Sequence, residues 1–343
     1  MLMGKPRKLQ MKQSAVNTIL VPIDEFAKKK ICEGHLYLKT KDGSSFCLMK
    51  PGIFIDPAFI EKHKIRKSIF NLEPVTNGDV KNQFVTILNE YKNLEFEKEL
   101  KQKAVEIIRL FEKHYSHQQH FLNYAIACFD VFCDVPDDLL EKLNETDVHL
   151  FQKALYSASL AILIGLSNEF FNPVLLKDLF NLTMSLDLGL CDNDYSFYVS
   201  QACDEENKIP GSGRRWLLDH NASQLEMNVF LGHPERSYHL IKEQAGFLVH
   251  SELSEIILYQ HELKDGTGFP RGIPKGLISS WESVVILADA MVEIHEHREL
   301  EEDALNFVYN FKNHKLNLLP VEKVFNKLCL SLRYGKESQE VAS

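Results

Sequence analysis

Imidazoles and carboxylates recur along this 343-residue chain at positions where solubility does not ask for them. In order they are Glu145 and His149, Asp187, His233, His261 with Glu262, and Asp289. Hard carboxylates mixed with imidazoles, with no thiolate among them, suit a divalent first-row ion such as iron or manganese, or zinc, better than a structural zinc site. An aspartate shared by two such ions with a bridging hydroxide is a phosphoryl-transfer device, because the metals neutralise non-bridging oxygens and supply the nucleophile.

Each candidate has a plainer explanation. Glu145 and His149 are four apart, so one helix would point both to one face, where such a pair is more often simply a surface pair. Asp187 lies in the apolar run Leu182-Thr-Met-Ser-Leu-Asp-Leu-Gly-Leu190 and Asp289 interrupts Val284-Val-Ile-Leu-Ala-Asp-Ala-Met. An unpaired carboxylate in either place costs roughly several kcal/mol, so each needs a cation or a buried salt bridge. Neither neighbourhood offers an obvious Arg or Lys. His233 precedes Pro234 at an expected helix start, where capping accounts for it. His261 and Glu262 end an apolar run (Ile256, Ile257, Leu258) that reads as a buried helix, and the loop Asp265-Gly266-Thr267-Gly268-Phe269-Pro270 comes at once. Positive φ is expected at both glycines, with Phe269 plugging back into a core. Alone, this pattern is more often a surface helix ending in a Gly-rich turn.

The elements that would position these groups fall into two blocks. Asn17 to Asp24 reads as a strand, and Leu36-Tyr-Leu-Lys-Thr and Phe46-Cys-Leu-Met flank the hairpin signal Asp42-Gly43. Asp56-Pro57 reads as an N-cap and first turn of a helix to about Lys64, and Ser68-Ile-Phe-Asn-Leu returns as a strand. The expected domains are a small α+β domain over 1–78, a helical connector over 79–135 and a mostly helical domain over 136–338. The overall class is α+β. In the connector, His114, His117 and His120 step by three in a polar neighbourhood, which favours a solvated face or interface over a metal site.

Composition narrows the functions. With 45% hydrophobic and 25% charged residues the chain has the balance of a globular protein, and a net charge of -9 argues against a general nucleic-acid or anionic-membrane surface. The amino terminus carries no secretory pattern, and the longest apolar stretch, Ala154 to Leu166, is broken by two serines and short for a membrane span. The cytoplasm is the expected compartment. Seven scattered cysteines without a Cys-x-x-Cys suggest no disulfide framework.

At these residues the chain resembles the HD-GYP family of metal-dependent phosphohydrolases, which hydrolyse cyclic di-GMP. The family signature HHExxDGxGYPxGL is matched by Gln260-His261-Glu262-Leu-Lys-Asp265-Gly266-Thr-Gly268-Phe269-Pro270-Arg-Gly272-Ile273. Asp289 within ILADAM, His233 with the residues after it, and Glu145 with His149 look like further family ligands, so the resemblance runs from about 140 to 295. It implies an HD-type helical domain with two divalent metals held by Glu145, His149, Asp187, His233, His261 and Asp289. Asp187 would be the shared catalytic ligand, with Gln260, Glu262, Phe269 and Arg271 facing a cyclic di-GMP-like nucleotide. The small first domain is similar to the β-rich domain that precedes some HD-GYP domains. The chain departs from the pattern at Leu186 and Leu190, where the family has the histidine and lysine of LLHDIGK, at Gln260 for a histidine, and at Phe269 for the tyrosine. The resemblance and its departures leave two functions: a divergent phosphodiesterase, or a pseudo-enzyme that keeps the fold and acts through a nucleotide or a signalling partner protein.

Overall fold

A computed structural model describes residues 18–39, 44–66, 68–114, 118–191, 196–296 and 318–340. The chain divides into two compact units, one made of the described residues up to Pro51 with Ile55–Val75, the other of Gly52–Phe54 and the described residues from Thr76 onward.

The first unit is a four-stranded sheet of β1 (Ile19–Pro22), β2 (Gly34–Lys39), β3 (Ser45–Met49) and β4 (Ile69–Pro74) in the order β1-β4-β2-β3. Every pair is antiparallel. Period-2 burial selects one face: Val21, Leu36, Phe70 and Leu72 pack with Phe26 of α1 (Ile23–Phe26) and Ile60 of α2 (Pro57–Ile65) into one core. The Asp56 carboxylate accepts the Ala58 N–H, as an N-cap before a proline should. The expected strand through Asp24 stops at Pro22, because Ile23–Phe26 turns helical to bury Ile23 and Phe26. Asp42-Gly43 lies outside the described residues.

The second unit is helical. Among the described residues of 79–135 are three helices, α3 (Gly78–Lys92), α4 (Glu97–His114) and α5 (Gln118–Phe132), which pack on one another and within this unit. His117 of the histidine series lies outside the described residues. After α6 (Asp137–Thr146) comes the central helix α7 (Val148–Ser167), against which α5, α6, α8 (Pro173–Met184) and α12 (Ser280–Glu296) all pack. By length and composition α7 could cross a membrane, but 89% of its most apolar window is buried in the unit, the signature of a core helix. Between α8 and α12 run α9 (Phe197–Lys208), α10 (Ser212–Asp219) and α11 (Gln224–Glu243), and a last helix, Glu322–Glu340, returns to α7. A mostly helical chain with one small antiparallel sheet is α+β, as expected.

Candidate functional site

The polar centre of the helical unit is organised by a residue that the sequence did not single out. Lys153 projects from α7, and its Nζ stands 3.1 Å from Asp187 Oδ2 and 3.1 Å from Asp289 Oδ1. Ser157, one turn further on, points its hydroxyl at Asp289 Oδ1 from 3.4 Å. All three charged side chains are buried. Burial by itself lowers the Lys153 pKa, but the charges of Asp187 and Asp289 more than reverse this and leave it raised, so the ammonium form is held. Burial pushes the Asp289 carboxyl up, with Lys153 opposing. At an effective dielectric of about 20, each contact contributes on the order of 5 kcal/mol of attraction, against a desolvation penalty of several kcal/mol per ion. The two nearly cancel, so the cluster fixes position more than it adds stability.

Asp187 is held in this place by the turn on its C-terminal side. The 3-10 turn Leu188–Leu190 is clamped to α11: Ser237 donates from its hydroxyl to Leu186 O (2.6 Å) and accepts from Gly189 N (2.8 Å), and Arg236 Nε donates to Gly189 O at 2.9 Å. A Cβ on Gly189 would lie 2.2 Å from His233 O, so only glycine permits this approach.

His233 sits inside α11 and not at a helix start, with Pro234 in the helix interior. Proline has no N–H to give to the carbonyl four residues back, which is Phe230. His233 Nδ1 takes up that carbonyl at 2.5 Å. This bond fixes the tautomer with Nδ1 protonated, leaving Nε2 as an acceptor. Nε2 lies 3.6 Å from Asp187 Oδ1, 3.1 Å from His261 Nε2 and 2.5 Å from Gln260 Nε2. Burial pulls the His233 pKa down to about 4, Asp187 opposing. Burial, then the charges of His233 and Lys153, hold His261 well below the usual histidine range. Both rings are neutral at neutral pH.

The run before His261 is 3-10, Ser251–Tyr259, instead of an α-helix. The loop beyond is built around Glu262, which is fully buried. Its carboxylate accepts the backbone N–H groups of Arg271 (2.8 Å), Gly272 (3.1 Å) and Ile273 (2.7 Å). Phe269 N donates to His261 O at 3.1 Å, and the two rings stack with centroids 4.5 Å apart. The positive φ values fall at Gly266 and Gly272; Gly268 is needed for close approach, since a Cβ there would be 2.4 Å from His261 O.

The expected site residues thus divide. Asp187, His233, His261 and Asp289 come together around Lys153. Glu145 and His149 do not join them: Asp147 is extended and caps α7 by accepting His149 N, so the two lie on different helices, and neither is buried. The apolar residues of α7 turn inward from Leu150, so Lys153 and Ser157 face the cluster one and two turns beyond His149. Glu262 is a clamp for its own loop, both carboxylate oxygens accepting backbone N–H groups. Arg271 is exposed, its guanidinium 5.7 Å over the Tyr259 ring, and Phe269 is the lid on His261. Leu186 and Leu190 are buried in the core. The signal for Lys153 was present as a lone cation in an otherwise apolar helical run, four residues after His149.

Two metals do not fit these residues, because an ammonium group stands between the two aspartates and two of the six ligands lie elsewhere. Asp187, His233 and His261 keep ligand atoms within 4.8 Å of one another, the set that remains for a single ion. Fold and site together define an α+β protein whose helical unit gathers a buried Asp/His cluster around one lysine. The chain matches no protein-family model and no curated protein. Among solved structures it is similar to Bd1817, an HDG"Y"P protein from Bdellovibrio bacteriovorus, at 13% identity over 92% of this chain and 100% of that one, with a TM-score of 0.40. So distant a likeness leaves the site to be read from its own residues.

Proposed function

We propose that this chain is a divergent HD-GYP-like protein that has exchanged its metal centre for a buried lysine and works as a non-hydrolytic interaction module in cyclic di-GMP signalling. The observation that carries the reading is Lys153 Nζ at 3.1 Å from both Asp187 and Asp289. Where a metal-dependent hydrolase needs ions that generate hydroxide from bound water, this site has an ammonium group that cannot, and both of its aspartates are engaged with it. The matched loop supports the family relationship; Leu186, Leu190 and Gln260 support the loss of turnover. The cavity beside the cluster is about 20 Å³, room for a water-sized species and not for a dinucleotide, which favours a protein partner over a nucleotide bound at the cluster.

The test is elemental analysis of protein expressed with iron, manganese and zinc supplied, together with a cyclic di-GMP hydrolysis assay. The expected outcome is far less than one transition metal per chain and no hydrolysis. Two metals per chain with hydrolysis that depends on Asp187 would restore the phosphodiesterase reading.

A further inference from the structure

The 20 Å³ cavity has a lining that asks for an occupant. Gln260, Glu206, Asp289, His261 and Glu262 contribute its polar lining, and Leu263, Ile286 and Leu319 part of its apolar wall. The orientation of Gln260 is set by a chain of three contacts. Pro234 frees the Phe230 carbonyl, that carbonyl fixes the His233 tautomer, and the unprotonated His233 Nε2 then requires the amide NH2 of Gln260. The Gln260 carbonyl is therefore turned the other way. Its Oε1 is buried and meets no donor among the described residues, an arrangement that ordinarily destabilises unless something fills it.

The charges around it do not balance. Lys153 is shared by Asp187 and Asp289, while Glu206, also buried, accepts the Gly211 N–H at 2.6 Å and the Gly213 N–H at 2.9 Å; burial pushes its pKa up, with those bonds and the Lys153 charge opposing. The lining residues bring an amide oxygen and carboxylate oxygens, hard donors, beside the His261 imidazole. His261 turns its Nε2 to His233, so its other ring nitrogen, Nδ1, is the unprotonated one. The space admits one guest without a water shell, which disfavours magnesium, an ion that keeps several waters.

We propose that this cavity holds one desolvated alkali cation, coordinated by Gln260 Oε1 with carboxylate oxygens of Glu206 and Asp289. The site is distinct from the Asp187, His233 and His261 set in both donors and ion class. It compensates the negative charge that Lys153 alone leaves over, and it does not depend on the proposed function.

The test compares melting temperatures in sodium, potassium and choline chloride at equal ionic strength. A saturable rise of roughly 2–4 °C in one alkali salt over choline is expected. Gln260→Leu should abolish that difference and Arg271→Ala should keep it. If Gln260→Leu does not fold, wild-type protein decides the matter through sodium-23 relaxation. Excess relaxation that saturates with sodium, or that potassium competes away, supports the site. Equal melting in all three salts, with no excess relaxation, overturns it and assigns the cavity to water. Transition metal found in the purified protein would overturn the proposed function and leave this result untouched.

Discussion

At the scale of single residues, the site turns on one ammonium group buried between two carboxylates. Removing one partner from a buried pair leaves the others uncompensated, so Lys153→Met should lower unfolding free energy by about 3–5 kcal/mol in urea titration. Combining it with Asp187→Asn and Asp289→Asn should recover much of that loss, since the carboxylates that need the lysine are then gone. If the single variant is as stable as wild type, Lys153 does not bridge the aspartates. The histidines add a pH dependence. His233 is held neutral, with its pKa down at about 4, so below the ordinary histidine range the unfolded chain binds its proton first. Stability should therefore fall as pH drops from about 6.5 toward 4, by about 3 kcal/mol for His233 alone. His261 is shifted the same way and adds to the fall, while Asp289, pushed up, opposes it in the acid part of the window. Denaturant titrations at pH 7.5, 6 and 5 measure the slope, and a flat profile would mean that these rings are not buried neutral.

At the scale of elements, the site depends on a close approach between a turn and a helix. Gly189 lets the turn after Asp187 touch α11, and Ser237 and Arg236 tie it there. Gly189→Ala should force the two apart and cost on the order of 1–3 kcal/mol, as overpacking does. Ser237→Ala, which removes hydrogen bonds but no space, should cost about 1 kcal/mol at each bond lost. Equal stability of Gly189→Ala and wild type would show that the contact yields. This contact was not legible in the sequence, because Gly189 and Ser237 are distant along the chain and neither belongs to a periodic pattern. The pairing of β2 with β3, the capped helix at Asp56 and the positive φ at Gly266 were legible from alternation and local turn chemistry, whereas Gly268 does not take the positive φ expected of it. At His233 the local rule gives way to the tertiary context. A proline usually marks a helix start, yet Pro234 is accommodated inside α11 because the freed Phe230 carbonyl finds the imidazole.

At the scale of the whole molecule, the sequence pattern indicated the class and the helical unit, and the structure shows both: one small antiparallel sheet and a large set of helices around α7. What the pattern did not disclose was which turn of α7 faces the aspartates. Glu145 and His149 have helical spacing, but spacing says nothing about where a helix begins, and Asp147 begins α7 between them. One turn later the same face presents Lys153. Metal content and the response to alkali salts belong to this level, since each reports what neutralises the buried acids of the folded unit.

An ion bound from solution can be stripped by a chelator or starved by a poor medium, and a protein built on it is regulated by supply whether or not selection favours that. The ammonium of Lys153 is part of the polypeptide and cannot be diluted away. The positive charge between Asp187 and Asp289 is inherited with the gene and owes nothing to the metal pool of the cell.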